Sequence, residues 1–187
     1  MEIDVKQLMI DSMKTRALHP DDIPELDLYM DQIIALMNTH LGTDGEKEPL
    51  TRTMIHNYSK AGLITPLKGK KYSKEQILQM LAIYSLKNTL SIAQIKRVLY
   101  GTMQSGIDTN GLAECFDTQL ARRDVINQQL VHILETILVE NHIELDTPAD
   151  VLSFLLTLTD ITDSLTSFAA AITQTCFPEP PDKKAKK

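Results

Sequence analysis

The chain has no tryptophan, four phenylalanines, five tyrosines and only two cysteines in 187 residues. Cys115 and Cys176 stand far apart and form no CxxC pair, which removes the common zinc-ribbon and dithiol motifs. Reduced, buried thiols are expected rather than a disulfide. Long apolar runs are also missing: no stretch approaches the ~18 uncharged residues of a membrane span. The opening MEIDVKQLMIDSMK alternates charged with apolar residues and has no signal-peptide core. A cytoplasmic location with no membrane partner is expected.

Catalytic signatures are absent too. There is no GxGxxG, GxxxxGK[ST], GxSxG or HExxH, and His19, His40, His56, His132 and His142 are scattered without cysteine companions. Asp21 and Asp22 lie in a proline-bounded turn, where capping explains them. No catalytic residue, metal ligand or cofactor is expected, and the chain is not read as an enzyme.

What is present is segregated charge. The formal net charge is −6, but residues 50–100 hold nine basic residues and one acid, for +8. Residues 1–49 and 101–187 carry −7 each. A local cationic patch sets the field that a docking polyanion feels, whatever the total. A solvated lysine face is the bland explanation, and the flanking segments weigh against it because they achieve solubility with acids.

The pattern reads as helices almost throughout. A short amphipathic helix is expected over residues 2–16, then a break at HPDDIPEL and a helix from about Pro24 to His40. Thr51 is a good N-cap for residues 52–61, and Gly62 a helix stop. Pro66 and Gly69 interrupt 63–72, a stretch long enough for a small β-hairpin with Gly69 at its tip. Ser73 with Gln76, and Ser91 with Gln94, are capping boxes for helices to about Lys87 and Leu99. GTMQSGIDTNG reads as a linker. A helix, a lysine-tipped hairpin and two capped helices make a winged helix-turn-helix, whose recognition helix enters a groove while the wing meets the backbone.

The stretch MIHNYSKAGLITPLKGKKYSKEQILQMLAIYSLKNTLSIAQIKRVL resembles the DNA-binding domain of the mercury-resistance regulator (MerR) class. Tyr58, Gly62, Leu63, Pro66, Tyr72, Ser73 and the run Leu90-Ser91-Ile92-Ala93-Gln94-Ile95-Lys96 carry the likeness. The wider block, from DIPELDLYMDQ through LTRTMIHNYSKAGL to LSIAQIKRVL, resembles the bacterial family called domain of unknown function 1836. The resemblance covers about residues 20–100. It departs where His56-Asn57 precede Tyr58, since the regulator class usually has an arginine there. It departs again where lysines serve the wing, giving point charges rather than bidentate forks.

The resemblance implies a DNA contact set of Arg52, His56, Asn57 and Lys60 on the recognition helix, with Lys68, Lys70, Lys71 and Tyr72 on the wing. Asn57 could read an adenine edge and Arg52 a phosphate or guanine; local capping of Asn57 and partial burial of His56 are the alternatives. Tyr72 more often packs a wing than touches DNA. Lys96 and Arg97 could extend the basic face or be a solvated helix end.

The C-terminal half has another character. Leu112, Phe116, Leu120, Leu130, Leu134 and Ile137 form a stripe over residues 112–140. Thr147, Pro148 and Asp150 then open a helix. Val151, Phe154, Leu158, Ile161, Leu165, Phe168 and Ile172 repeat at 3-4 spacing over three heptads, an a/d seam. Either an antiparallel hairpin buries both stripes within one subunit, or Phe154, Leu158, Ile161, Leu165, Phe168 and Ile172 serve a homodimer or an effector pocket.

The expected architecture is all-α with a small β-wing. It comprises an N-terminal helix and linker (1–19), a MerR-like winged helix-turn-helix domain (20–106), a C-terminal helical hairpin (107–176) and a disordered basic tail (177–187). The expected function is duplex DNA binding in transcriptional control as a homodimer, with an effector possible but unidentified. The alternative is a non-enzymatic module whose winged helix binds protein or RNA.

Overall fold

The structure, a computed structural model, describes residues 4–14, 16–41, 48–67 and 69–181. Among them are seven α-helices and one two-stranded antiparallel sheet. The helices are α1 (Val5–Ser12), α2 (Met30–Leu41), α3 (Arg52–Ala61), α4 (Lys74–Leu86), α5 (Ile92–Gln104), α6 (Thr109–Glu140) and α7 (Pro148–Cys176); the strands are β1 (Leu28–Tyr29) and β2 (Lys71–Tyr72).

The capping chemistry sits where the sequence puts it. Thr51 accepts from the Met54 amide at 3.3 Å, and Gly62 ends α3 at φ 72°, letting the Leu63 amide reach the Tyr58 carbonyl. Ser73/Gln76, Ser91/Gln94 and Thr147/Asp150 close reciprocal capping boxes on α4, α5 and α7. The Thr147 bonds hold the Asp150 carboxyl below the usual carboxylate range.

One core gathers α2, α3, α4 and α5 with the segment before them. Ile33, Met37, Ile55, Ile77, Leu78, Met80, Ile83 and Ile95 are fully buried in it. The core takes in Leu18 at one end and Leu99 at the other, and Leu112 and Phe116 at the start of α6 pack against it. No helix among the described residues is long and apolar enough to cross a membrane.

Several boundaries differ from the sequence pattern. The first helix is shorter, Val5–Ser12. The helix expected from Pro24 begins only at Met30, because Leu28–Tyr29 is a strand. The linker expected at 101–111 is largely helical: α5 runs on to Gln104 and α6 starts at Thr109 on an Asp108 cap. Gly69 does take positive φ, at 105°, but the segment around it is not a hairpin. β2 pairs instead with β1, in the register Leu28 to Tyr72 and Tyr29 to Lys71. Cys115 and Cys176 are free thiols as expected, yet both are exposed rather than buried.

The two long helices meet the rest of the molecule on different elements. α6 lies against α1 and α4, whereas the end of α7 docks on α5. That second junction is specific. The Arg97 guanidinium donates to the carbonyls of Phe177 (2.6 Å) and Gln174 (2.9 Å), closing the C-terminal turn of α7, and reaches Glu179 at 3.4 Å. Arg97 is therefore neither a solvated helix end nor part of a free basic face. A Cβ at Gly101 would stand 2.5 Å from Cδ1 of Phe177, so only glycine admits that ring. Phe177 and Pro178 thus belong to the fold, not to a disordered tail; residues 182–187, which carry the tail's lysines, lie outside the described residues.

Candidate nucleic-acid interface

Helix α3 turns Ile55 and Tyr58 into the core and keeps Arg52, Thr53, His56, Asn57 and Lys60 exposed. At 3.6 residues per turn these five positions cover one continuous arc of about 140°. His56 and Asn57 are both exposed, and neither is engaged in capping this helix, whose caps are Thr51 and Gly62.

The stretch between α3 and α4 is fastened from below. The amide of Thr65 donates to Gln79 Oε1 at 2.9 Å, while Gln76 Nε2 donates to the carbonyls of Thr65 (2.9 Å) and Pro66 (3.3 Å). Both glutamines are buried, so these bonds are formed away from water and hold the stretch firmly against α4. The chain then rises through Gly69 and Lys70 into β2.

The β1–α2 junction brings β2 and α3 together. The Lys71 ammonium lies 4.9 Å from the centre of the Tyr29 ring. Two residues on, Asp31 pairs with Arg52 at the start of α3. Strand β2 and the first turn of α3 therefore meet the same three-residue stretch, Tyr29–Asp31. The Arg52–Asp31 pair is two-thirds exposed on both sides, so water screens it and a competing anion can displace Asp31.

The basic segment is partly neutralised by the acids of its flanks. Lys74 reaches Glu25 at 2.6 Å, Lys87 reaches Glu48 at 3.7 Å, and Arg97 is held at the end of α7. Among the described residues, Lys60, Lys70, Lys71 and Lys96 make no ion pair. Three of these four stand on α3 or at β2.

Tyr72 is a correction to the expected contact set. It is 4 % exposed and packs in the core, where desolvation pushes its phenol above the ordinary value of 10.0. Tyr29, directly across the ladder from Lys71, is 51 % exposed. Lys68 lies outside the described residues. No group of three or more His, Cys, Asp or Glu is placed to hold a metal ion among the described residues.

The proposed seam on α7 divides in two. Phe154 is buried and Leu158 and Ile161 are half-buried, so its first half is used within the subunit. Leu165 (61 % exposed), Phe168 (64 %) and Ile172 face solvent. Near its end α7 turns Ala169 and Thr173 inward instead, and these small residues let it approach α5 closely. A hairpin that buries the whole seam inside one subunit is therefore excluded.

A helical body whose core spans Leu18–Leu99, with one small sheet, defines the class of domain. The chain belongs to the family described as Domain of unknown function (DUF1836), whose model matches residues 18–119. That match covers the body together with the first turns of α6. No curated protein and no solved structure matches the chain.

Proposed function

We propose that this chain binds duplex DNA through the exposed face of α3 and the β2 wing, as a regulator of transcription acting in the cytoplasm. The observation that carries the reading is the convergence of Arg52 and Lys71 on Tyr29–Asp31. It aligns a polar helix face with lysines that make no ion pair among the described residues. The element order β1, α2, α3, β2, with the two strands paired, supports a winged helix-turn-helix of MerR-like kind. In that arrangement α3 enters the major groove and the wing lies along the phosphates. Asn57 and His56 supply side chains able to read base edges, and Lys60, Lys70 and Lys71 supply phosphate contacts.

A second part of the proposal concerns assembly. A single winged helix spans few base pairs, and a symmetric dimer supplies the second half-site. Leu165, Phe168 and Ile172 recur at coiled-coil spacing and are exposed, which favours a homodimer through this half of α7.

The test is fluorescence anisotropy with duplex DNA across a salt series. Changing Lys70 and Lys71 to alanine weakens binding to all duplexes alike and lowers the log–log salt slope by roughly 0.9 for each phosphate no longer neutralised. An unchanged affinity and slope removes the wing from the interface. A wild-type protein that ignores DNA and forms a salt-insensitive complex with another protein supports the interaction-module reading instead.

A further inference from the structure

Among the described residues Arg16 and Arg123, like Lys60, Lys70, Lys71, Lys96 and Arg122, are not held by an acid from another element. Lys6, Lys14, Arg52, Lys74, Lys87 and Arg97 each reach a carboxylate within 3.7 Å. Arg16 makes no ion pair among the described residues, and Arg123 has only its chain neighbour Asp124, at 3.9 Å.

The two arginines share the same pair of cavities. One, of about 910 Å³, is an open groove between α1 and α6, with Ile10, Met13 and Val131 on its apolar wall. It is kept open by two end contacts between the helices: Lys6 to Glu135 at 2.9 Å, and Asn127 Nδ2 to the Met13 carbonyl at 3.4 Å. The other, of about 320 Å³, lies between α4 and α6 and presents the polar side chains of Ser85, Asn88 and Gln119. Arg16 and Arg123 line both. Of the acids at these walls, Glu135 is engaged by Lys6 and Glu48 by Lys87, leaving Asp124.

We propose that this double cavity binds an amphiphilic organic anion, with a carboxylate or phosphate head and an apolar body. The head lies between the two guanidiniums, whose planar forks suit either oxyanion, and takes further bonds from the amides of Asn88 and Gln119. The apolar body lies along Ile10, Met13 and Val131. The larger groove has the size of an ordinary small-ligand site. A purely apolar ligand would leave the arginines unsatisfied, and a bare inorganic anion would leave the aliphatic wall wet. The site is independent of DNA binding, because it is built from α1, α4 and α6 and does not involve α3 or the wing.

Isothermal titration of the full chain, without DNA, tests the site. Decanoate and decyl phosphate, each below its micelle concentration, are titrated separately to decide between carboxylate and phosphate heads; inorganic phosphate and decanol are the controls. Saturable binding of at least one decyl anion is expected, with both controls weaker by about tenfold or more. Arg16→Gln and Arg123→Gln each weaken it by about tenfold, and Arg123→Lys by less, because lysine keeps the charge but not the fork. Far-UV circular dichroism checks the fold of each variant. Arg16→Gln, at an exposed linker position, decides the matter if Arg123→Gln unfolds. The proposal is overturned if neither decyl anion saturates the wild type, or if decanol or inorganic phosphate binds as well as the decyl anions. Undiminished binding in the glutamine variants overturns it as well, by placing the ligand on the exposed apolar faces of α6 and α7.

Discussion

The body between Leu18 and Leu99 and the two long helices that follow it are built on opposite rules. In the body, α4 alone buries eight of its 13 residues, and its neighbours α2, α3 and α5 all contribute to the same core. In α6 and α7, 32 and 29 residues long, only Val131, Phe154 and Thr173 are buried. Yet the long helices are not polar: Val125, Ile126, Ile133, Leu152, Leu155 and Leu156 are all more than half exposed. Exposed apolar surface of that extent is the feature on which the proposed homodimer rests. The difference teaches that folding stability resides in the body, while α6 and α7 carry surface available for association.

The sharpest break of that contrast comes from matched truncations. Leu78→Ala in α4 should cost about 2–5 kcal/mol, because it opens a cavity in a site with no exposure. Leu156→Ala in α7 should stay within about 0.5 kcal/mol in the monomer. Urea melts of the two variants measure both, and equal losses would erase the distinction.

Association is the next largest effect. Leu165→Asp should weaken self-association by about 2 kcal/mol or more, as removal of a central apolar anchor does, while leaving the helical signal intact. Light scattering reads the change. A wild type that is monomeric at micromolar concentration refutes the dimer. A variant that unfolds shows instead that Leu165 is needed by the subunit itself.

The joint between the regions gives a smaller effect. Gly101→Ala forces the Phe177 ring away and should cost about 1–3 kcal/mol. Hydrogen exchange should then rise in the last turns of α7 and stay unchanged in α4. Arg97→Ala should loosen the same turns by removing the bonds to the Gln174 and Phe177 carbonyls.

Alkaline pH produces the smallest contrast. Tyr58, Tyr72 and Tyr84 have phenols raised above 10.0 by desolvation, with the Glu48 charge adding to the effect at Tyr58 and Tyr84. A raised folded value means that their contribution is complete below the unfolded value and is lost as pH climbs through the folded one. Melts between about pH 8 and pH 11 should show the body losing stability, and Tyr72→Phe should lose less.

How much of this was legible depended on whether the signal was local. Thr51, Ser73, Ser91 and Thr147 cap the helices that the sequence pattern assigns to them, because a cap needs only the next three residues. Gly62 and Gly69 take positive φ for the same local reason. β1 was not legible: two residues cannot display an alternation, and the partner of Leu28 is Tyr72, far along the chain. Tyr29 and Asp31 therefore carry no sequence signal as site residues, and the local pattern around Gly69 mimics a tight hairpin. The hold of Arg97 on α7 spans 80 residues, and no spacing rule encodes it. On α7 the heptad repeat was visible, but which half would be covered depended on where Ala169 and Thr173 met α5.

The central claim is that the body reads DNA and the long helices pair two copies of it. Selection of duplexes from a random-sequence library by the full-length protein, followed by sequencing, tests both halves at once. The account predicts enrichment of an inverted repeat whose recovery falls steeply with salt and is abolished by Asn57→Ala and Lys70→Ala combined. Recovery of no sequence above background at low salt, with the protein folded, would contradict it.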